Sequence, residues 1–148
     1  MFNLKTKLAT AMIAVAAASS FASPAVAGQC ATPGTSDLAN AATMPKGVTD
    51  DVLAAIQLGP EINVDGRQLR TRRLVVQPGG IVPLHSHKDR PALIYVVSGS
   101  ITEHSSACGA PIEHKAGEIS READGLSHYW ENHGKEPAVL LSSDVFHG

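Results

Sequence analysis

Aromatic residues make up only 4% of this 148-residue chain, too few to suggest a stacking platform for nucleobases. Neither sign of charge dominates. Twelve Lys and Arg stand against fourteen Asp and Glu, a formal net charge of −2, which weighs against nucleic acid or an anionic membrane surface as partner. Only two cysteines occur, Cys30 and Cys108. They form no C-x-x-C pair, so a redox dithiol or a zinc ribbon gains no support. There is no internal repeat and no long amphipathic helical pattern. The longest mostly apolar run, Leu8 to Phe21, is too short to span a bilayer.

What that run does fit is an export signal. Lys5 and Lys7 supply a positive start, the alanine-rich segment follows, and Ala25-Val26-Ala27 places small residues where a signal peptidase reads. Residues 1–27 are therefore expected to be a signal peptide, with the mature chain starting at Gly28, no stable membrane anchor after processing, and a periplasmic or secreted location. Removal of two lysines leaves the product more acidic. In an oxidising compartment Cys30 and Cys108 are expected to pair, the alternative being two free thiols.

Residues 28–47 are rich in Ala, Thr, Pro, Gly and Ser without periodicity, and read as a flexible arm or linker. Residues 48–148 read as the folded domain. Thr49 with Asp50 and Asp51 ahead of Val52–Ile56 has the signature of a capped short helix. Ile62–Val64 and Gln68–Val76 about Asp65-Gly66 suggest a hairpin. Beyond it come short strand-like runs: Ile81–His87, Ala92–Val97, Ser100–His104, Ile112–His114, Glu118–Glu122, Leu126–Asn132 and Ala138–Ser142, with Gly or Pro at most junctions. Many short strands at close spacing predict an all-β antiparallel sandwich or barrel.

Two of those runs carry the chemistry. His85 and His87, two apart on a strand, point to one face and can grip one ion together. His128 arrives from a distant segment in its own glycine-bounded pattern. Three neutral imidazoles converging on one point suit a divalent transition metal such as Fe, Mn, Zn, Ni or Cu. With His128 inward, Trp130 and Asn132 also face inward, and on the earlier strand Ala92 and Ile94 would line the same interior pocket.

The spacing of Gly79, His85, His87 and Gly99, followed by Gly117, Gly125, His128 and Asn132, resembles the two motifs of the cupin superfamily. Ala123 stands where the second motif usually has proline. The resemblance implies a small antiparallel jelly-roll barrel of the conserved-barrel type with a short N-terminal helix and arm, and a divalent ion on His85, His87 and His128. It also exposes a departure: the glutamate of the first motif falls on Ala92, which cannot bind metal. A three-histidine site keeps the full charge of its ion and should favour a small anionic ligand. In this it is similar to oxygen-using cupins such as the thiol dioxygenases, so a dioxygenase-like oxidoreductase is one expectation. A non-catalytic small-molecule or metal-binding module is the other. No catalytic acid or base is identifiable.

Other candidates complete the reading. Glu103 or His104 could reach across to replace the absent ligand. His104, His114, His133 and His147 are expected at the surface. Arg70 and Arg72 share a strand face, which is either a clamp for a substrate carboxylate or a solvated outer face. Asp89 and Arg90 occupy the turn after His87. Trp130 is pocket wall or plain core. A homodimer is expected from exposed sheet edges.

Overall fold

The computed structural model describes Cys30, residues 32–36 and residues 38–148; the expected signal peptide and its cleavage point lie outside the described residues. Eight strands and one short helix run in the order β1 (Lys46–Gln57), α1 (Leu58–Ile62), β2 (Arg67–Ser86), β3 (Ala92–Ser98), β4 (Ser100–Ser105), β5 (Ile112–Lys115), β6 (Ile119–Glu122), β7 (Ser127–Glu131) and β8 (Ala138–His147). All the pairings are antiparallel, in the order β5-β4-β7-β2-β8-β3-β6, with β1 on β2. The result is a nearly closed antiparallel barrel, one of the two architectures the strand pattern allows and the jelly roll that the resemblance implies.

Strand β2 makes the barrel by belonging to both of its walls. Residues Arg67 to Val76 pair with β8, whereas Ile81 to Ser86 pair with β7. Gln77-Pro78-Gly79-Gly80 forms the corner between them. Gly79 has φ of +70°, and a Cβ on Gly80 would lie 2.7 Å from the carbonyl oxygen of Gln77 and 2.9 Å from that of Gly47. Side chains at these two positions would strain or block the bend.

The strands alternate as a barrel requires. Ala92, Ile94 and Val96 are buried while Leu93, Tyr95 and Val97 are exposed; His128, Trp130 and Asn132 are buried on the facing wall. Leu74, Val76, Ile101, Ala138 and Leu140 complete the apolar core. Leu93, Tyr95, Val97 and Ile119 leave an apolar outer surface. Among the described residues, no helix is long and apolar enough to cross a membrane.

Three local expectations are corrected. Residues 49–56 form most of β1 rather than a helix, paired with β2 from Val48↔Val76 to Gln57↔Gln68. A helix that short is marginal alone, and β-branched Val48, Thr49, Val52 and Ile56 suit the ladder. The hairpin partners are β1 and β2, so Ile62 ends α1 and Asp65-Gly66 lies in the connection, with Gly66 at φ +70°. The arm is not loose where it is described. Pro33 bridges Cys108, the Gly109 N–H donates to Thr32 O at 2.9 Å, and the Ser36 hydroxyl donates to Cys108 O at 2.7 Å.

Cys30 and Cys108 form a disulfide across a sequence separation of 78 residues, with their Cα atoms 5.4 Å apart. Closing so long a loop restricts the unfolded chain, a gain on the order of 4 kcal/mol in the chain-entropy model. The Cys30→Ser, Cys108→Ser double variant is therefore expected to unfold at clearly lower urea concentration than the oxidised protein. Identical midpoints would show that the bridge adds nothing.

Candidate metal centre

Two rows across the barrel position the site. On one wall, Arg70 of β2 pairs with Asp144 of β8, Asp144 with Ala92 of β3, and Ala92 with Glu122 of β6. On the other, His85 of β2 pairs with His128 of β7, and His128 with Ser105 of β4. His87 follows His85 by two residues just past the strand end. The first row faces the second across the interior.

The imidazoles meet through one kind of nitrogen. His85 Nε2 lies 3.0 Å from His87 Nε2 and 3.1 Å from His128 Nε2. Each ring turns its other nitrogen to an acceptor: His85 Nδ1 to Pro83 O at 2.8 Å, His87 Nδ1 to Arg90 O at 2.7 Å, and His128 Nδ1 to a Glu103 carboxylate oxygen at 2.8 Å. A carbonyl or carboxylate accepts only, so the ring protons sit on Nδ1 and three Nε2 lone pairs face one another. The Trp130 indole N–H also comes within 3.1 Å of His128 Nδ1, but the shorter, charge-assisted bond to Glu103 fixes this tautomer.

A carboxylate joins the three lone pairs, and it is not the one the sequence pointed to. Glu122 Oε2 is 3.0 Å from His87 Nε2, and Oε1 is 3.6 Å from His128 Nε2. Glu122 is 1% exposed, and its Oε1 has no hydrogen-bond partner. Donor atoms of His85, His87, Glu122 and His128 all lie within 4.8 Å of one another. Lone pairs and an orphaned carboxylate oxygen packed together repel unless a cation lies among them, so the donor set fits a divalent transition ion. Ala92 carries no ligand atom, and the carboxylate that the three imidazoles do meet is Glu122 on the neighbouring strand, which the sequence reading did not include.

Glu103 does not replace the ligand either; it stands behind one. Its two oxygens accept from His128 Nδ1 and, at 2.9 Å, from His114 Nε2. Both histidines are fully buried and Glu103 is 3% exposed, so His114, expected at the surface, belongs to the interior. It stacks on Trp130 with ring centroids 4.7 Å apart. Burial opposes ionisation of Glu103, yet the hydrogen bonds from His114 and His128 outweigh it and hold its pKa at about 2. His104 and His133 do lie on the outer face, at 3.1 and 3.4 Å from Glu131.

A cavity of about 210 Å³ opens beside the cluster, lined in part by His85, Glu122, Ile94, Trp130, Arg72 and Arg90. Ala92 and Asn132, expected in the pocket, are buried but absent from its lining. Asn132 instead braces the turn after β7, donating to Val76 O and Glu136 O and accepting from the Gly134 N–H. Arg70 and Arg72 face the interior rather than solvent. Arg70 grips Asp144 with two bonds of 3.0 and 2.8 Å, and Arg72 contacts Asp50 and Ser142. Asp89 is exposed and pairs with Arg67 at 2.6 Å.

Acid should weaken the metal-free protein. Burial, then the neighbouring His128, lowers the His85 pKa from 6.5 to about 3. Between those values the unfolded chain binds a proton that the folded chain refuses, so stability falls as pH drops through that window. Glu103, with its folded pKa depressed to about 2, adds a loss as pH falls below the 4.5 of an ordinary glutamate. His85 alone implies a loss of about 2 kcal/mol from pH 7 to pH 5. Urea denaturation of metal-free protein at those two pH values checks this, and an equal or higher midpoint at pH 5 would contradict it.

The fold has many relatives. The cupin domain family model matches residues 72–144. Germin-like protein 1 of Brassica napus is 33% identical over 105 residues, covering 66% of this chain and 50% of the relative. An auxin-binding protein of Prunus persica, ABP19b, is 34% identical over 83 residues, covering 54% of this chain and 40% of the relative. The chain thus spans about half the length of the curated relatives it matches, or less. Among solved structures, a predicted oxalate decarboxylase from Thermotoga maritima superposes with a TM-score of 0.55 at 21% identity, over 73% of this chain and 95% of that one. A recombinant oxalate oxidase in complex with glycolate gives 0.53 at 20%, over 71% and 54%. With its barrel, its paired histidine motifs and these matches, the chain belongs to the cupin superfamily.

Proposed function

We propose that this protein is an exported metal-dependent cupin in which His85, His87, His128 and Glu122 hold one divalent transition ion, and that it is an oxygen-using oxidoreductase acting on a small carboxylate. The observation that carries the reading is the convergence of three Nε2 atoms beside the buried Glu122 carboxylate, one oxygen of which has no hydrogen-bond partner, at the edge of a cavity. When bound, such an ion supplies Lewis-acid polarisation and open coordination positions for an anionic substrate and oxygen. The chain's own residues do the rest. Pro83 O, Arg90 O and Glu103 hold the ring protons away from the ion and fix the tautomers. Ile94, Trp130, Val82 and Leu140 form apolar walls that exclude water, while Arg72 and Arg90 add positive charge. The named relatives support a carboxylate, since two solved neighbours are described by oxalate chemistry and one of them holds glycolate. The disulfide suits an oxidising, exported setting.

A non-catalytic binding module is the second reading, favoured by one feature of the lining. Among the described residues its only carboxylate apart from Glu122 is Asp50, and Arg72 already engages that group, so none of them offers the cavity a free acid or base to move a substrate proton. Elemental analysis of protein taken from its own exported compartment comes first, with one equivalent of a transition metal expected. Oxygen uptake by that protein with a panel of small carboxylates then separates the readings. Turnover supports the oxidoreductase, and saturable binding with no uptake supports the module. Absence of metal would reject the oxidoreductase and leave only a metal-independent binding module.

A further inference from the structure

The polar end of the cavity holds more positive charge than its own carboxylates use. Asp144 is fully buried, and three guanidiniums surround it. Arg70 satisfies it with two hydrogen bonds and covers the Phe146 ring at 3.8 Å, so those two form a self-contained pair. Arg72 Nη2 donates to Ser142 and lies 3.5 Å from Asp144, its Nη1 donates to Asp50, and its Nε is buried without a partner. Arg90 lies 3.8 Å from Asp144, beyond hydrogen-bond reach, with its side chain one quarter exposed. Both Arg72 and Arg90 line the cavity that His85 and Glu122 also line.

We propose that Arg72 and Arg90 form an anion subsite facing the metal centre, so that the ligand of this barrel carries two acid groups joined by a short apolar spacer. The inference deepens the proposed metal-dependent reading and rests on it for the first acid group only. Asp144 and Glu122 stand on either side of Ala92 in one row, two strand spacings or about 10 Å apart at the backbone. That separation keeps the two cationic ends distinct. Most of the remaining lining is apolar, Ile94, Leu140, Trp130 and Val82, and the Ser142 hydroxyl is already engaged by Arg72, which suits methylene groups rather than hydroxyls. The unused Nε of Arg72 and the unengaged Arg90 fork match a carboxylate in number and charge. The Arg90 carbonyl also accepts from His87 Nδ1, tying this subsite to the metal ligands through one residue.

Calorimetric titration of metal-loaded protein with succinate and glutarate, against butyrate as the one-acid analogue, tests this. At least one diacid should bind about tenfold or more tightly than butyrate. Arg90→Gln spares the Arg70–Asp144 pair, so the variant should fold, hold its metal and lose the preference; Arg72→Lys, which keeps the charge but not the fork, should reduce it. Equal binding of diacids and butyrate by wild type overturns the subsite, as does a preference that survives both substitutions. Metal content on the same samples separates the two claims. Protein that holds no metal but binds diacids through Arg90 rejects the metal centre and keeps the subsite, whereas metal-loaded protein without the preference does the reverse.

Discussion

Glu122→Ala is expected to lower metal affinity on the order of 100-fold, since even partners behind a ligand are worth about 10- to 100-fold, and Ala92→Glu added to it should restore most of the loss. Ala92 and Glu122 are directly opposed across β3 and β6, so their Cβ atoms are about 5 Å apart, a gap that a glutamate side chain can span. Moving the carboxylate between strands thus keeps it near the three Nε2 atoms. The metal-free variant gives the sign that separates ligand from scaffold. Glu122 Oε1 is buried and unpartnered, so its removal should leave the metal-free protein as stable as wild type or more so. A scaffold role predicts the opposite. Ala92→Glu alone should destabilise the metal-free protein, because its carboxylate would sit between those of Asp144 and Glu122 and like charges in one site disfavour ionisation. Chelator competition and melting curves on the four proteins read these effects together. Unchanged affinity in Glu122→Ala would remove that residue from the site.

Glu103→Ala is expected to be the most damaging substitution for the fold. It leaves His114 and His128 buried with no carboxylate to accept their protons, and breaking a buried pair costs roughly 3–5 kcal/mol. Metal affinity should also fall by about 10- to 100-fold, because the His128 tautomer is no longer fixed. Glu103→Gln should lie between, since its amide offers one oxygen where the carboxylate offered two. Equilibrium unfolding gives the first effect and chelator competition the second. A Glu103→Ala protein as stable as wild type would show that the buried trio contributes nothing.

The strands and the histidines were legible because both follow fixed local periods. A barrel strand alternates every residue, and His85-x-His87 obeys that period whatever surrounds it. Glu122 was not legible, because it reaches the site through a pairing between β3 and β6 that no spacing along the chain encodes. One signal pointed to it: Glu122 keeps the inward parity of Ser120 in a strand the sequence already marks. His114 was missed for a similar reason, as a short strand carries too little pattern to set which side faces in. At β1, the Thr49-Asp50-Asp51 sequence imitates a helix start, whereas in the fold Asp50 engages Arg72 on the neighbouring strand. Tertiary pairing overrode the local signal.

The most direct test of the metal centre is an anomalous-difference map from crystals of the metal-loaded protein. One peak is expected inside the barrel, about 2.0–2.2 Å from Nε2 of His85, His87 and His128 and from a Glu122 oxygen. No peak at that point, or a peak held by the histidines with the Glu122 carboxylate turned away, would contradict the four-ligand centre.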